Sequence, residues 1–548
     1  MFAQINNTAS VKDDSTPVQK KQLTIWITIF LLSSLAYSAI GSYSSLMGLL
    51  ATTGLRFCVC CVCVFLFKAV RYAIADLRIQ HIVPAAIIGS VILWQVTEKA
   101  ALYPTAFLSK GALIALAIAA IPCVFLLTLA VVRYCAEELK DAVRGFIRET
   151  SRFEVWFLGI AFFCMVLCCV VLYSSTNMFY EAYYQGKFIP YDVVFTSDSS
   201  VILQGNAFFD IYHVTNDLRQ PFFGLFSMPV VLPAVAISQL LSFWPLLFPI
   251  LINTTQIFLV LLTILIIVRS LGLEGDSRKI AVLLLSVTYP VMLFSMNIEQ
   301  YVFAVFWLVC LLYLIARNEK GQRVAYLAAL SSLVTSGIYI VSLESEQKWK
   351  KRIQTAILTF VFFFTIVILL NRQYVFITGL NYFKQLVSSY GGTQITLLDR
   401  MQQFSTMLWN LFLRPAAQWT TFSGHPAYML SPVIGFQWGG LVVLLMAVLG
   451  FVLNRNNRFA RLSFLFVALS IVLHVFIGWG AIENGMTLYT YYYLWAYFSL
   501  IFLGLEKILQ PLRKWRFAIY GLVLVLLAVF NFSAMVDIVR FGITHYPV

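Results

Sequence analysis

The chain has 548 residues, of which 61% are hydrophobic and 11% are charged, and its mean hydropathy is +0.85. Soluble domains carry about 25% charged residues, so this composition predicts a multi-pass membrane protein and excludes an ordinary soluble fold. The net charge of +14 does not predict nucleic-acid binding. The Lys and Arg residues lie in short clusters beside apolar runs, and no basic face occurs away from the membrane.

A membrane-spanning helix needs about 20 apolar residues, and the apolar runs predict an all-α polytopic fold with about thirteen such helices. The predicted spans are 23–43, 50–68, 80–97, 111–132, 155–174, 244–268, 280–297, 301–316, 353–371, 432–453, 462–479, 489–506 and 517–535. Residues 1–22 are polar, end in Lys20-Lys21 and lack the pattern of a cleavable signal peptide. They are therefore predicted to form a short cytoplasmic leader.

The distribution of basic residues predicts the orientation. Eight short segments hold 28 of the 38 Lys and Arg residues, and segments of this kind face the cytoplasm. They are 1–22, 68–79, 133–153, 269–279, 317–323, 346–352, 454–461 and 507–516. The N-terminus is therefore predicted inside and, because the number of spans is odd, the C-terminus outside. These signals fit a bacterial plasma membrane and an endoplasmic-reticulum membrane alike, and the lack of any long soluble domain favours the bacterial one.

Two apolar segments are predicted not to cross the membrane. A span over 221–242 would place Arg269, Arg278 and Lys279 outside, so this segment is expected to be an amphipathic helix on the outer interface. Residues 324–343 lie between two basic clusters and contain Ser331-Ser332 and Ser336-Gly337. A kink at these residues predicts a re-entrant pair of half-helices, with a true span as the alternative.

The basic segment 133–153 is predicted to be an amphipathic helix on the inner surface, where it would contact anionic lipid. It separates an N-terminal four-helix module, 23–153, from a longer membrane domain, 154–548. The longer domain carries two large outer loops, about 175–243 and 372–431. No internal sequence repeat is present, which disfavours an inverted-repeat transporter.

The first outer loop concentrates ionisable side chains beside an apolar helix. They are Asp192, Asp198, Asp210, His213, Asp217 and Arg219. A carboxylate in this loop could act as the general base toward a hydroxyl acceptor, and Arg219 could bind a phosphate. The alternative is that the acids only stabilise turns, as Asp often does.

Two further outer positions are predicted to contribute. Glu299 ends an apolar run and leads directly into the next span, and an ionisable residue at membrane depth indicates function. The alternative interpretation is that the Glu299 side chain only extends its carboxylate to the membrane–water interface. The segment Gly478-Trp479-Gly480, followed by Glu483 and Tyr489, faces the same predicted side. Tyr residues at this depth are also typical of an interfacial belt.

No metal site is predicted from the residues. The run Cys-Val-Cys-Cys-Val-Cys at 58–63 has no nearby His and is interpreted as apolar thiols inside a helix. The second outer loop carries Arg372, Lys384, Asp399, Arg400, Arg414 and His425. These groups could bind an anionic substrate, or they could form a solvated cap over the helices.

Together these features resemble the GT-C superfamily of integral-membrane glycosyltransferases, over about 155–535. Thr196-Ser197-Asp198 stands where that superfamily has its loop acid. Arg219-Gln220-Pro221-Phe222-Phe223 resembles its Arg-His-Pro-Leu-like interfacial element, with Gln220 in place of the usual His. Asn297-Ile298-Glu299 matches its second acid, and the patch from Gly480 to Tyr489 is similar to its Tyr-bearing outer motif.

The resemblance implies a GT-C-like core with outer-face interfacial helices, and transfer of a sugar from a polyprenyl-phosphate donor to a glycan or lipid acceptor. Asp198 and Glu299 would be the catalytic acids. Six residues would bind the substrate or its phosphate: Arg219, Asp192, Asp217, His213, Glu483 and Tyr489. Some members of the superfamily require a divalent cation, Mg²⁺ or Mn²⁺, and others do not.

Three other classes of protein stay open from the sequence. A polymerase or ligase of surface polysaccharide would use Arg372, Arg400, Arg414 and His425 of the second loop. A lipid or solute transporter would need ionisable residues in mid-helix, whereas the acids here cluster at helix ends. The third class is a membrane-embedded assembly or structural protein.

Overall fold

The computed structural model describes residues 17–40, 71–75, 77–102, 109–189, 193–204, 207–213, 218–343, 349–370, 372, 388, 395–481 and 485–548. It is 76% helical. The helices are α1 (Pro17–Ala39), α2 (Ile79–Leu102), α3 (Lys110–Arg148), α4 (Arg152–Ser175), α5 (Ser199–Gln204), α6 (Phe223–Leu240), α7 (Leu247–Ser270), α8 (Gly275–Ser286), α9 (Tyr289–Met296), α10 (Gln300–Arg317), α11 (Gln322–Ser332), α12 (Trp349–Leu369), α13 (Leu397–Asn410), α14 (Trp438–Leu453), α15 (Arg458–Ile471), α16 (Gly485–Leu488), α17 (Thr490–Ile508) and α18 (Arg513–His545). Val334–Ser342 and Gln510–Leu512 are 3₁₀ turns, and Val472–Ile477 continues α15 as a π-helix.

Two short hairpins complete the secondary structure of the described residues. Strands β1 (Tyr183–Tyr184) and β2 (Lys187–Phe188) pair antiparallel, as do β3 (Ala417–Phe422) and β4 (His425–Leu430). Ser423 and Gly424 join β3 to β4 with φ of 48° and 84°. Positive φ at both central residues is the twist that a two-residue hairpin needs. The α-helical membrane class expected from the composition is confirmed.

The predicted number of thirteen spans is wrong for the described residues, which contain eight helices long and apolar enough to cross a membrane. The number becomes nine if α8 and α9, which meet at an angle of 57°, count as one broken span. Helix α17 contains four Tyr residues and Glu506-Lys507, which lower its hydropathy. Helix α14 has 16 residues and extends only about 24 Å, less than the hydrocarbon thickness. The predicted span 50–68 and the Cys run at 58–63 lie outside the described residues.

Two further predictions concern single helices. The basic segment from Arg133 to Arg148 is not a separate surface helix, because it continues the preceding span within the 39-residue helix α3. No Gly or Pro interrupts the chain where the apolar run ends, so nothing stops the helix there. Helix α6 is long and apolar enough to be a span, and its predicted position on the outer interface stays a prediction.

Backbone contacts divide the chain into two compact units. The first comprises Met1–Gly145, Asp210–Tyr212 and Ala356–Phe376; the second comprises Phe146–Phe209, His213–Thr355 and Ile377–Val548. In the first unit, α1 and α3 are joined where the Cys123 N–H donates to Ser33 Oγ at 2.8 Å. The second unit contains Asp198 and Glu299, the two acids singled out from the sequence.

The interior of the second unit is built around α7 and α10, which are 72% and 67% buried, whereas α4 is 11% buried. Helices α14 and α17 cross with their backbones in contact at Gly450 and Gly504. A Cβ on Gly450 would overlap the Leu500 carbonyl, so this close approach needs glycine.

Residues 322–342 break at the predicted position. Helix α11 ends at Ser332, Leu333 is extended, and a 3₁₀ turn begins at Val334. The Tyr326 hydroxyl donates to the Gly337 carbonyl at 3.2 Å, so the second half folds back along the first. We call this segment the folded-back hairpin. Its passage into the membrane stays a prediction.

Candidate functional site

The segment that presents Asp198 has an unusual backbone. Phe195 and Thr196 have φ of 54° and 59°, a region that non-glycine residues adopt rarely and at a cost in free energy. Phe195 is fully buried, and its N–H donates to the Tyr428 carbonyl at 3.0 Å. The Tyr428 N–H in turn donates to the Val193 carbonyl at 2.8 Å. Strand β4 therefore fixes this strained turn just before Asp198.

The structure brings together the two acids that were predicted from separate parts of the chain. The backbone N–H of Asp198 donates to Glu299 Oε1 at 3.0 Å, across 101 residues of sequence. Beside them the Ser199 hydroxyl donates to the Ile298 carbonyl at 2.6 Å and contacts Asn297 Oδ1. Glu299 is 2% exposed and precedes the first turn of α10, where the positive end of the helix dipole stabilises an anion.

A buried amide in α7 explains how Glu299 is held at this depth. Gln256 is fully buried. Its Nε2 donates to the carbonyls of Phe294 and Asn297 at 2.6 and 2.8 Å, and its Oε1 accepts from the Glu299 N–H at 2.9 Å. These bonds satisfy backbone groups in the non-helical link between α9 and α10, as buried backbone requires. Sequence reasoning missed Gln256, although an amide inside an apolar span is a detectable signal.

Arg219 and Tyr489 lie close to the acid pair. The Tyr301 and Tyr489 rings meet edge to face at 5.5 Å, and the charges of Arg219 and Glu299 both act on the Tyr301 hydroxyl. The Arg219 carbonyl accepts a hydrogen bond from the Val334 N–H at 2.8 Å, and the Phe222 N–H donates to the Ser331 carbonyl at 3.0 Å. The folded-back hairpin therefore holds the segment that carries Arg219.

Trp479 and His474 form a second set of contacts around Tyr489. Trp479 Nε1 donates to the Tyr489 hydroxyl at 2.7 Å, and the His474 Nδ1 is 2.8 Å from the Trp479 carbonyl. Because a carbonyl only accepts, Nδ1 carries a proton. The His474 ring is fully buried at 5.4 Å from the Tyr489 ring. The sequence analysis missed His474, and its signal was an ionisable residue inside an apolar run.

Further contacts connect strand β4 and the residues next to it with the C-terminal part of the chain. Arg414 forms an ion pair with Asp537 at 2.7 Å, and the Tyr546 hydroxyl donates to the Pro426 carbonyl at 2.6 Å. Burial raises the pKa of Tyr428, and the neighbouring Arg414 opposes that rise. Tyr428 therefore stays protonated at neutral pH and has a structural role.

Several polar side-chain atoms around this site are buried without a hydrogen-bond partner among the described residues. They are Ser197 Oγ, Gln220 Nε2, Gln300 Oε1, Ser331 Oγ and Ser332 Oγ. Buried polar groups are nearly always paired in native proteins. Their concentration beside Arg219 and the acid pair indicates a place where water or a polar ligand completes the bonding.

Two cavities of the second unit lie next to elements of the site. One, of about 480 Å³, lies between α13, the end of the β3–β4 hairpin and α16. The other, of about 380 Å³, lies between Leu203 of α5, the last turns of α6 and the aromatic residues Trp244 and Phe248. Helix α5, which begins one residue after Asp198, contributes Leu203 to the second cavity.

Not every predicted site residue can be placed. Asp192, Asp217 and Glu483 lie outside the described residues, so their roles stay predictions. His213 is half-buried next to the undescribed residues 214–217, and its role is likewise untested. The Asp210 carboxylate accepts from the Tyr212 N–H at 2.8 Å, a local turn contact that belongs to the first unit.

The described basic residues of the second outer loop make contacts within the protein. Arg372 is buried and donates to the Ile211 carbonyl. Arg400 donates to the carbonyls of Ile395 and Phe476 at 3.2 and 2.9 Å. His425 is buried, and its Nδ1 is 3.2 Å from the Pro426 carbonyl. Lys384 lies outside the described residues.

Possible metal ligands are dispersed among the described residues. No three His, Cys, Asp or Glu side chains gather anywhere in the described part of the chain. At the acid pair, one Glu299 oxygen already accepts the Asp198 N–H. Mg²⁺ is commonly held by one or two carboxylates together with water and substrate phosphate, so the requirement for a divalent cation stays a prediction. We therefore assign no chemical step to a metal ion.

The helices define the chain as a multi-pass α-helical membrane protein. At the start of the central helix α10, the buried Glu299 accepts a hydrogen bond from the half-buried Asp198. Comparison with family models, with curated proteins and with solved structures returns no match in any of the three. The function is therefore inferred from the site itself.

Proposed function

We propose that this protein is a membrane glycosyltransferase that moves a sugar from a polyprenyl-phosphate donor to a glycan or lipid acceptor at the outer membrane face. One observation carries the proposal: the backbone N–H of the loop acid Asp198 donates to the carboxylate of the helix-end acid Glu299 at 3.0 Å, across 101 residues of sequence. Strained backbone at Phe195 and Thr196 supports the proposal, because such strain clusters at functional sites.

In this mechanism Asp198 is the general base. Its carboxylate takes the proton from the acceptor hydroxyl while the hydroxyl oxygen attacks the anomeric carbon. The bond between that carbon and the phosphate oxygen breaks, and polyprenyl phosphate leaves with the electron pair, so the anomeric configuration inverts. Because the leaving group is already an anion, it needs no protonation by a second carboxyl group, unlike the leaving group of a glycosidase.

Glu299 is a positioning residue in this mechanism. Its carboxylate accepts the Asp198 N–H, and its own backbone is held by the fully buried Gln256. The Glu299 carboxylate therefore connects the base to the central helix α7. Precise placement of a base matters because a shift of about 1 Å can lower a rate about 100-fold.

Arg219 is the group best suited to the donor phosphate. Its charge acts on Tyr301 beside the acid pair, and guanidinium groups bind phosphate with paired hydrogen bonds. The unpartnered Gln220 amide and the Ser331 and Ser332 hydroxyls near it could donate to the remaining phosphate oxygens. The cavity beside α6, which is lined by Phe209, Val235 and Trp244 among others, offers apolar surface to the prenyl chain.

The polysaccharide polymerase or ligase is the competing function, and the contacts of the second loop disfavour it. A polymerase or ligase would require Arg372, Arg400 and Arg414 to bind an anionic substrate. Instead Arg372 and Arg400 donate to backbone carbonyls, and Arg414 is paired with Asp537. Releasing them would leave these acceptors unsatisfied.

The test measures sugar transfer from a panel of radiolabelled polyprenyl-phosphate sugars in membranes with equal amounts of each variant. Asp198→Asn should lower the transfer rate about 100- to 10,000-fold, the contribution of a general base. Glu299→Gln should also lower the rate, since it weakens the bond to the Asp198 N–H. The matched control is Asp276→Asn, whose carboxylate pairs with Lys279 at 2.8 Å in an exposed position.

Transfer that survives Asp198→Asn would reject Asp198 as the base. Absence of transfer from every donor by the wild-type protein would reject the proposed reaction and would direct attention to the polymerase and transporter alternatives.

A further inference from the structure

The 480 Å³ cavity has polar walls whose hydrogen-bonding capacity is incompletely used. Asn410 and Thr487 border it and are each 1% exposed. The Asn410 amide oxygen and nitrogen and the Thr487 hydroxyl all lack a hydrogen-bond partner among the described residues. Unpaired buried polar groups of this kind call for an unseen partner. The volume lies within the range of about 300–1,000 Å³ that is typical of small-molecule sites.

The chemistry of the walls identifies the class of ligand. No Lys, Arg or His belongs to the described lining, whose other polar residues are Asp399, Gln402, Gln403, Thr406, Gln418 and Ser431. A phosphate or carboxylate would lack a counter-charge here. Amide, hydroxyl and carboxylate groups suit a ligand whose own groups both donate and accept hydrogen bonds. A neutral polyhydroxylated ligand has this property.

Apolar side chains form the other part of the cavity. Met407 lies on α13, Leu430 ends β4, and Met486 belongs to α16. A sugar ring presents hydroxyl groups around its rim and C–H groups on its faces, so it matches a wall that is part polar and part apolar. A lipid chain would leave the polar wall unsatisfied.

The same elements hold the acid pair. Thr487 is two residues from Tyr489, whose ring contacts Tyr301 next to Glu299. Leu430 is two residues from Tyr428, whose carbonyl accepts the Phe195 N–H in the strained turn. A ligand in the cavity would therefore lie next to the elements that position Asp198.

We propose that this cavity binds a neutral sugar unit through Asn410 and Thr487, and that this unit belongs to the acceptor. The assignment of this sugar unit to the acceptor rests on the proposed function. Binding of a sugar in the cavity does not, because it can be tested without any transfer. The acceptor and the donor would then bind at two places. Neutral hydroxyl groups of the acceptor would bind in the cavity, and the donor phosphate would bind beside Arg219.

The experiment uses the full-length chain in lipid nanodiscs, prepared without glycoside detergents, which would themselves occupy a sugar site. Saturation-transfer difference NMR is recorded with methyl glucopyranoside, galactopyranoside and mannopyranoside, each as both anomers. At least one glycoside should bind the wild-type protein. Asn410→Leu and Thr487→Val, which keep side-chain volume, should each weaken that binding at least tenfold. The control Thr421→Val changes an exposed residue of β3 that does not line the cavity and should bind as wild type does.

Gln402→Leu, on a half-buried wall position, provides a second test if Asn410→Leu fails to fold. The inference is overturned if no glycoside of the panel binds, or if the folded cavity variants bind as tightly as the wild type. Asp198→Asn separates this inference from the proposed function, since it should retain glycoside binding and lose transfer. Binding that depends on Asn410 without transfer by the wild type would reject only the proposed reaction. Transfer without glycoside binding would reject only the sugar site.

Discussion

Thr196 occupies a left-handed backbone conformation that an L-residue with a branched side chain adopts at a cost of about 1–2 kcal/mol. The surrounding contacts maintain it, since the neighbouring Phe195 is fully buried and bonded to β4. Such a conformation persists only where the structure around it over-determines the backbone. We infer that this conformation fixes the position of Asp198, two residues later.

Thr196→Gly tests this role. Glycine adopts positive φ without strain but has more freedom in the unfolded chain, so the two effects nearly cancel and the thermal midpoint should change by only a few degrees. Sugar transfer should fall about tenfold, because the added backbone freedom displaces Asp198. The readouts are the thermal midpoint and the transfer rate of the purified protein.

Ser423→Gly is the matched control, because Ser423 also has positive φ, 48°, but lies in the turn between β3 and β4. It should preserve the transfer rate. Equal rates for Thr196→Gly and the wild type would show that the strain at Thr196 has no catalytic role.

The acids of the site could be predicted from the sequence, whereas the residues that support them could not. Asp198 and Glu299 were detectable because a carboxylate at a membrane face is costly and seldom incidental. Gln256 and His474 are recognisable as polar residues inside apolar runs, but their roles depend on the folded contacts that they make. Gln256 contacts the Asn297–Glu299 link, and His474 contacts Trp479 and Tyr489. Neither contact leaves a pattern in the local sequence. The predictions that involve Asp192, Asp217, His213 and Glu483 are untested.

At the scale of elements, three predicted inner segments meet in one ion cluster. Glu154, in the first turn of α4, pairs with Arg269 at the end of α7 at 3.0 Å and with Arg278 of α8 at 2.6 Å. Glu149 pairs with Arg317 at the end of α10, and that hydrogen bond holds the pKa of Glu149 below its usual range. The basic residues that predicted the orientation therefore also join four helices at one end.

Glu154→Gln should destabilise the protein strongly. The side chains of Glu154 and Arg269 are each 1% exposed, and removing one partner of a buried ion pair costs about 3–5 kcal/mol because the other charge is left uncompensated. The readout is the thermal midpoint of the purified protein in nanodiscs. The double variant Glu154→Gln with Arg269→Met should recover part of the loss.

Glu149→Gln is the control for this prediction. Its pair with Arg317 is more than a third exposed on the Glu149 side, and exposed pairs contribute about 0–1 kcal/mol. Similar losses from Glu149→Gln and Glu154→Gln would contradict the assignment of the buried Glu154–Arg269 pair as the main ionic link between these helices.

Whether a single element was predicted correctly depends on the strength of its signal in the local sequence. The break near Ser331-Ser332 was predictable, because serine and glycine pairs weaken a helix that already lies between two basic clusters. The continuous helix α3 was not, since a change from apolar to basic residues indicates where the environment changes and not where a helix ends. The number of spans was overestimated because short or Tyr-rich helices such as α14 and α17 resemble spans in the sequence.

At the scale of the whole second unit, the acid pair and the ion cluster lie at opposite ends of the same helices. Helix α10 begins after Glu299 and ends at Arg317; its 18 residues extend about 27 Å, close to the hydrocarbon thickness. Helix α4 begins beside the ion cluster and ends at Ser175, after which Thr176 donates to the Tyr546 carbonyl at 2.7 Å. The C-terminal residues are therefore at the acid-pair end.

This arrangement links the side of the membrane on which the chain ends to the side on which the chemistry occurs. If the ion cluster faces the cytoplasm, as its basic residues predict, then Tyr546 and the acid pair are both outside. A reporter that is active only outside the cytoplasm should work when fused after Val548 and fail when inserted after Lys320, in the turn that follows α10. A reporter that fluoresces only in the cytoplasm should give the opposite result at the two positions. The reverse pattern would place Asp198 in the cytoplasm, where nucleotide sugars are also available as donors, and the requirement for a polyprenyl-phosphate donor would then lose its physical basis.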